Sequence, residues 1–297
     1  MRRWISAFRL QTLPLAFACI ISGAGIGVLA GIQNWTLLFL ALLTATCLQI
    51  LSNLANDYGD AISGVDNSDR LGPERAVQSG EISVGAMKKA VFLFSTLSLI
   101  AGLTLLKIAF NQISLQFILF FVLGVAAIAA AIKYTIGKNA YGYSGLGDIS
   151  VFVFFGLVGV LGASYLFAGE FNLESVFLSI SIGCFSVGVL NLNNLRDIEN
   201  DAKFGKNTLV VKRGKPWGIV YHYALIGFGW LSYLVFFISQ SLNLYFLIPF
   251  LTVPLFISNV QAVKNHTNPK ELIPKLKQLA LGTFVFSILL FCATLLS

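Results

Sequence analysis

Acidic and amide side chains are concentrated at two places in this sequence, each at the end of a long apolar stretch. The first run covers residues 53–60 and the second covers residues 191–201. At about 100° per residue of an α-helix, the polar members of each run share one face. Those members are Asn53, Asn56, Asp57 and Asp60 in the first run, and Asn191, Asn194, Asp197 and Asp201 in the second. The pattern predicts two polar stripes at two helix ends.

Stripes of this kind suit a divalent cation. Carboxylates three or four residues apart on a helix repel each other, and amide side chains inside a membrane are costly without partners. Mg²⁺ relieves both costs, because it takes hard oxygen ligands and is held by a few carboxylates together with substrate phosphates. Two such runs facing each other could therefore hold two Mg²⁺ ions bridged by a diphosphate. The alternative is that both runs are solvated helix ends whose side chains only cap the backbone.

Basic residues near the two runs could contact the phosphates directly. They are Arg70, Arg75, Lys133, Lys138, Lys206 and Lys212. A diphosphate site beside lipid suits a substrate with a polar head and a long apolar tail. If that tail is allylic, cleavage of its C–O bond leaves a stabilised carbocation that an electron-rich second substrate can capture, while Mg²⁺ stabilises the leaving diphosphate.

The elements that must position these residues are apolar stretches of about 20 residues, the length that spans a bilayer. The sequence predicts nine such helices, and hence an all-α, polytopic membrane bundle around a central cavity that opens to the cytoplasmic side and laterally to lipid. The chain is expected to form one domain over 1–297, with two related halves at about 1–140 and 141–297. The predicted spans are 12–31, 35–56, 88–107, 114–133, 149–168, 174–194, 218–238, 242–263 and 277–296.

Composition and charge support this arrangement. With 57% hydrophobic and 11% charged residues, the chain is too poor in charge for a soluble enzyme, a disordered protein or a disulfide scaffold. In the nine-span arrangement, all of the 20 Lys and Arg residues except Lys107 lie on one side. The positive-inside rule makes that side cytoplasmic, together with the N-terminus and the long loops. The net charge of +7 then reflects topology and a diphosphate pocket, with no nucleic acid among the partners.

Several stretches along the chain resemble the UbiA superfamily of intramembrane prenyltransferases. The spacing of Asp57, Asp60 and Asp66, and that of Asp197 and Asp201, resemble the two aspartate-rich motifs of that family. Residues 9–14, 53–60, 70–80, 141–148 and 193–208 are similar to the branch of the family that prenylates 1,4-dihydroxy-2-naphthoate in menaquinone biosynthesis. The gap between Asp60 and Asp66 is longer than in the general superfamily motif.

The resemblance implies a reaction and roles for residues. The reaction is Mg²⁺-dependent transfer of a polyprenyl group from polyprenyl diphosphate to 1,4-dihydroxy-2-naphthoate, with loss of the carboxylate, at the bacterial cytoplasmic (inner) membrane. Asp66 is expected either in the first cluster or as the base that deprotonates the acceptor. The residues implied in catalysis are Asp57, Asp60, Asp66, Asp197, Asp201 and Lys133. Those implied as ligands of two Mg²⁺ ions are Asp57, Asp60, Asp197 and Asp201. Those implied in substrate binding are Asn53, Asn56, Arg70, Arg75, Lys138, Tyr134, Tyr141, Asn194 and Lys206.

Other interpretations remain open at this point. Tyr134 and Tyr141 also fit an interfacial aromatic belt. Another aromatic acceptor, such as hydroxybenzoate, homogentisate or a porphyrin, would use the same motifs. A cation-binding transporter would also need acidic residues, although such sites usually lie near the middle of the membrane rather than at helix ends. A membrane scaffold would require no paired acidic stripes.

Overall fold

The structure is a computed structural model that describes residues 2–65, 71–72, 74–241 and 243–297. Over these residues it contains nine helices long and apolar enough to cross a membrane, and no strand. The helices are α1 (Arg2–Leu29), α2 (Trp35–Ser63), α3 (Val84–Phe110), α4 (Leu115–Lys133), α5 (Gly147–Ala168), α6 (Glu174–Arg196), α7 (Lys215–Ser239), α8 (Leu244–Asn265) and α9 (Pro269–Leu296). The predicted all-α class with nine spans is confirmed.

Local sequence accounts for several helix boundaries. The side chains of Asn34, Ser83 and Ser114 accept hydrogen bonds from backbone amides at the starts of α2, α3 and α4, as expected of N-caps. Gly64 ends α2 with a φ of 76°, a left-handed conformation that favours glycine. The helix α2 therefore runs seven residues past its predicted end at residue 56, so the whole first acidic run is helical.

The helix α6 lies in the middle of the bundle and packs against α5, α7 and α9. Close approach to α5 depends on glycine, since a Cβ on Gly156 would lie 2.9 Å from the Cα of Gly183. On the other side of α6, Phe185, Trp230 and Phe286 pack edge to face and tilted in an aromatic core. These aromatic side chains fill the space on one side of α6, whereas residues on its other side line a cavity.

The outside of the bundle is apolar. Phe39, Phe92 and Leu251 are 66%, 75% and 74% exposed, an exterior that water would disfavour and lipid would accept. At one end of the bundle the connections between helices meet. Asn200 donates to the carbonyl of Val65, and the amide of Asn207 donates to the carbonyl of Tyr143. The acidic runs at the ends of α2 and α6 lie at this end, and the division of the chain into two related halves stays a prediction.

Candidate active site

A cavity of about 800 Å³ joins the ends of the acidic helices to the apolar middle of the bundle. Its walls come from α1 to α6 and from α9. Near the ends of α2 and α6 the wall is polar and includes Asp60, Arg75 and Lys206, whereas Phe120 and Leu166 line the far end. The cavity is therefore shaped for a molecule with an anionic head and an apolar tail.

Asp60 lines the polar end of this cavity. Its carboxylate is 2% exposed, forms an ion pair with Arg75 at 2.5 Å, and accepts a hydrogen bond from the hydroxyl of Tyr143. Nη1 of Arg75 also donates to the backbone carbonyl of Asn56 at 2.6 Å. Burial and the neighbouring Asp60 charge raise the pKa of Tyr143, so this hydroxyl is a hydrogen-bond donor at neutral pH.

Asp57 does not line the cavity, although it is one helical turn from Asn53 and Asp60. Its two carboxylate oxygens accept hydrogen bonds from the amides of Ala76 and Val77 at 3.2 and 3.3 Å. These bonds hold the 74–82 segment against the end of α2 and fix the orientation of the carboxylate. A carboxylate has about four lone-pair positions, so two remain after both amides have bound.

The amides of the first run tie α2 to its neighbours. Nδ2 of Asn53 donates to the Phe8 carbonyl and to Oγ1 of Thr12, both at 2.9 Å. Oδ1 of Asn56 accepts from Oγ1 of Thr135 at 3.3 Å. Both asparagines still line the cavity, so they shape its wall as well as joining helices.

In the second run, the residues that line the cavity are Asn193 and Arg196, whereas Asp197, Asp201 and Asn194 do not line it. The predicted stripe and the cavity-facing side of α6 therefore differ. Arg196 donates from Nε to Oδ1 of Asp197 at 2.8 Å and from Nη2 to Oδ2 at 2.5 Å. A second bond from Nη2 reaches Oδ1 of Asn193 at 2.8 Å.

Asp201 lies in the short helix Ile198–Lys203, which follows α6. Its Oδ1 lies 3.4 Å from Nζ of Lys206, while its Oδ2 is buried without a hydrogen-bond partner among the described residues. Burial raises the pKa of Asp201 to about 6, although Lys206 opposes the shift. The charges of Asp197 and Asp60 add to the raised pKa, which indicates that the acids of the two runs are close enough to interact.

Tyr134 lines the cavity. Burial raises its pKa, and the charges of Asp60 and Asp201 both contribute. Its ring packs edge to face on that of Tyr141, with the centroids 5.3 Å apart. Tyr141 also lines the cavity, and its hydroxyl is bound to the Ala130 carbonyl and to Ser150. Both tyrosines are thus placed to contact a ligand.

The structure does not bring every predicted residue to the cavity. Lys133 and Lys138 are exposed and do not line it. Asn194 is buried away from it, and Asn191 donates to the carbonyl of Gly218 in α7. Asp66 and Arg70 lie outside the described residues.

Two residues at the site are not marked by the spacing of the acids. Arg196 directly precedes Asp197, and this position within the second run is a signal that could have identified it. Tyr143 is 83 residues from Asp60 in the chain, and no helical spacing relates the two. Only the folded arrangement brings that hydroxyl to the carboxylate.

The donor set fits Mg²⁺ with substrate better than a metal held by protein alone. Over the described part of the chain, no group of three or more His, Cys, Asp or Glu residues is arranged to hold a metal ion. Mg²⁺ commonly takes only one or two carboxylates and completes its shell with phosphates and water. The buried and unpartnered Oδ2 of Asp201 is an oxygen of the required type.

Comparison with known proteins agrees with this geometry. Residues 15–294 match the UbiA prenyltransferase family. The chain belongs to this family. It is 42% identical to a 1,4-dihydroxy-2-naphthoate octaprenyltransferase of Haemophilus influenzae, over 97% of this chain and 94% of that protein. It is 41% identical to the protein of the same name in Escherichia coli, over 99% of this chain and 95% of that protein. The predicted resemblance to the superfamily and its naphthoate branch is confirmed.

Solved structures show the same fold at low sequence identity. A UbiA homolog from Aeropyrum pernix K1 superposes with a TM-score of 0.69 at 14% identity, covering 95% of this chain and 97% of that one. A UbiA homolog from Archaeoglobus fulgidus bound to DMAPP and Mg²⁺ has a TM-score of 0.61 at 15% identity, with 95% and 98% covered. This UbiA chain is a multi-pass, all-helical membrane protein.

Proposed function

We propose that this UbiA chain transfers a polyprenyl group from polyprenyl diphosphate to 1,4-dihydroxy-2-naphthoate, with loss of the acceptor carboxylate as CO₂, to give demethylmenaquinol, the reduced form of demethylmenaquinone. The observation that carries the proposal is the 41–42% identity, over nearly the whole chain, to relatives named for that acceptor. The cavity adds physical support, because it joins a polar end that includes Arg75, Arg196 and Lys206 to an apolar far end.

The bond changes assign work to each part of the cavity. The C–O bond between the prenyl group and diphosphate breaks, one C–C bond forms to the naphthalene ring, and the ring loses its carboxylate. Arg75 and Lys206 line the polar end and would bind the diphosphate oxygens as they gain negative charge. The apolar walls around Phe120 and Leu166 would hold the tail and keep water from the allylic cation.

Two Mg²⁺ ions, held by Asp57, Asp60, Asp197 and Asp201, would stabilise the charge that develops on the leaving diphosphate. The amides of Ala76 and Val77 orient the Asp57 carboxylate, a role typical of groups behind a metal ligand. Support for divalent metal in this fold comes from the Archaeoglobus homologs, whose structures hold Mg²⁺ with DMAPP or with GPP.

The acceptor is best placed near Tyr134 and Tyr141, beside the polar end of the cavity. Their pKa values are raised by burial, so both hydroxyls stay protonated and neither is a base in the resting site. Asp66, in the connection after α2, is proposed as the base or as an additional ligand.

The membrane setting follows from the substrates. The tail would enter from the lipid through a lateral opening of the cavity, and the diphosphate would enter from the cytoplasmic side. The concentration of Lys and Arg at one side supports an N-terminus in the cytoplasm and a place in the bacterial inner membrane. A reporter fused to the N-terminus tests that orientation.

A panel of acceptors tests the proposal. The purified chain is given Mg²⁺ and octaprenyl diphosphate together with 1,4-dihydroxy-2-naphthoate, 4-hydroxybenzoate or homogentisate, and products are identified by mass spectrometry. We expect demethylmenaquinol, detected as demethylmenaquinone after oxidation in air, from the naphthoate alone, and none when EDTA removes the metal. Product only from hydroxybenzoate would refute the choice of acceptor, and no transfer to any acceptor would refute the activity.

A further inference from the structure

Three of the four acids proposed as metal ligands have a cation beside them. Asp60 pairs with Arg75 at 2.5 Å, Asp197 with Arg196 at 2.5 Å, and Asp201 with Lys206 at 3.4 Å. The pair formed by Arg196 is the most complete of these, because its guanidinium engages both carboxylate oxygens of Asp197. Arg196 therefore binds both carboxylate oxygens of Asp197, which is one of the four proposed metal ligands.

The position of Arg196 relative to the cavity is equally informative. Arg196 is 5% exposed and lines the cavity, whereas Asp197 is 4% exposed and does not line it. A further bond to Oδ1 of Asn193 at 2.8 Å holds the guanidinium on the cavity wall. A ligand in the cavity would thus meet Arg196 before it meets Asp197.

We infer that Arg196 is a diphosphate-binding residue that also serves as the internal counterion of Asp197, so that it opposes a bare divalent cation and favours the metal–diphosphate complex. This inference rests on the proposed function and deepens it. Arg196 is thereby a positioning residue for the metal ligand before substrate binds, and a substrate contact afterwards.

The physical reason is the sign of the charge that arrives. A bare Mg²⁺ must approach a carboxylate that already has a guanidinium within hydrogen-bond distance, and two cations repel strongly in a buried site. A complex of one Mg²⁺ ion with a diphosphate carries net negative charge, so the same guanidinium attracts it. The planar guanidinium can donate two parallel hydrogen bonds to a pair of phosphate oxygens as well as to a carboxylate. Arg196 can therefore exchange the Asp197 carboxylate for the diphosphate.

The test is the effect of Arg196→Gln on binding of two probes, measured by calorimetry on the purified full chain. Relative to wild type, we expect the variant to bind Mn²⁺ alone about tenfold more tightly, and the mixture of Mn²⁺ with inorganic pyrophosphate about tenfold more weakly. The exposed Arg213 supplies a matched control, because Arg213→Gln removes the same charge away from the cavity and should change neither affinity.

Other outcomes overturn the inference. If Arg196→Gln weakens both probes, or leaves both unchanged, Arg196 is structural. If pyrophosphate binding is unchanged while binding of 1-hydroxy-2-naphthoate is lost, Arg196 contacts the acceptor carboxylate and the diphosphate assignment is wrong. Should Arg196→Gln fail to fold, Arg196→Lys is the second variant, because it keeps the charge but loses the two-pronged pair with Asp197. It should bind Mn²⁺ alone about threefold more tightly and the mixture of Mn²⁺ with pyrophosphate more weakly. No change in either affinity would equally overturn the inference.

The test separates this inference from the proposed function. Binding of Mn²⁺ and pyrophosphate needs neither the aromatic acceptor nor turnover. If the opposite shifts are seen but no demethylmenaquinone forms, the choice of acceptor fails and the role of Arg196 stands. If demethylmenaquinone forms but the shifts have the same sign, the role of Arg196 fails alone.

Discussion

Gly59 provides a test of how closely the polar end of the cavity is assembled. It lies in α2 between Asp57 and Asp60, where the helix touches the segment that follows α4. A Cβ at this position would lie 2.4 Å from Oγ1 of Thr135 and 2.7 Å from the Thr135 carbonyl oxygen. The second of these atoms is backbone and cannot rotate away. Gly59→Ala should therefore push the 134–135 segment away from α2.

The size of the effect follows from two opposing contributions. Overpacking a buried site costs about 1–3 kcal/mol, while alanine in place of glycine within a helix gains about 1 kcal/mol. Gly227, in α7, has open space around the position that a Cβ would take. Gly227→Ala therefore gains helix propensity without the cost of overpacking. The difference in unfolding free energy between the two variants should be about 1–3 kcal/mol, with Gly59→Ala the less stable.

Function should follow the same displacement. The 134–135 segment carries Tyr134 into the cavity wall and holds Asn56 through Thr135. A shift of this wall by a fraction of an ångström misplaces the substrate, and we expect kcat to fall about tenfold or more in Gly59→Ala. Unfolding in mixed detergent and steady-state turnover measure the two effects. Equal stability and equal turnover in Gly59→Ala and Gly227→Ala would refute the close contact between α2 and Thr135.

Three further predictions concern the charged residues. Asp57→Ala and Asp197→Ala should each lower Mg²⁺-dependent transfer by about 10²-fold or more while the protein still elutes as a folded species; near-normal turnover in both would contradict the metal site. Lys206→Met should weaken pyrophosphate binding measured by calorimetry, whereas Lys133→Met, which changes an exposed side chain, should leave it within about twofold; equal losses would place Lys133 at the site. Burial raises the pKa of Asp201 to about 6, and a metal ion binds the ionised carboxylate. The affinity for Mg²⁺ should therefore be full above pH 7 and fall as the pH drops through 6. A constant affinity from pH 5 to 8 would exclude Asp201 as a ligand.

Much of the architecture was predictable from the sequence because lipid restricts the choices. A chain with 57% hydrophobic residues and nine long apolar stretches can satisfy its backbone in a membrane only as helices or a closed barrel, and the length of the stretches selects helices. The grouping of acids at two helix ends identified where to look for the site. The resemblance of residues 53–60 and 193–208 to family motifs supplied the reaction.

The sequence by itself determined which helix ends carry the acids, but it could not determine which side chains reach the cavity. Helical spacing places Asn191, Asn194 and Asp197 on one stripe, yet the side of α6 that lines the cavity carries Asn193 and Arg196. Which face of α6 lines the cavity depends on how α6 packs against α5, α7 and α9. These contacts join residues that are far apart in the chain. Likewise, the bonds from Tyr143 to Asp60 and from Ala76 to Asp57 join segments that no local periodicity relates, because a buried carboxylate takes whichever donors the tertiary fold brings to it.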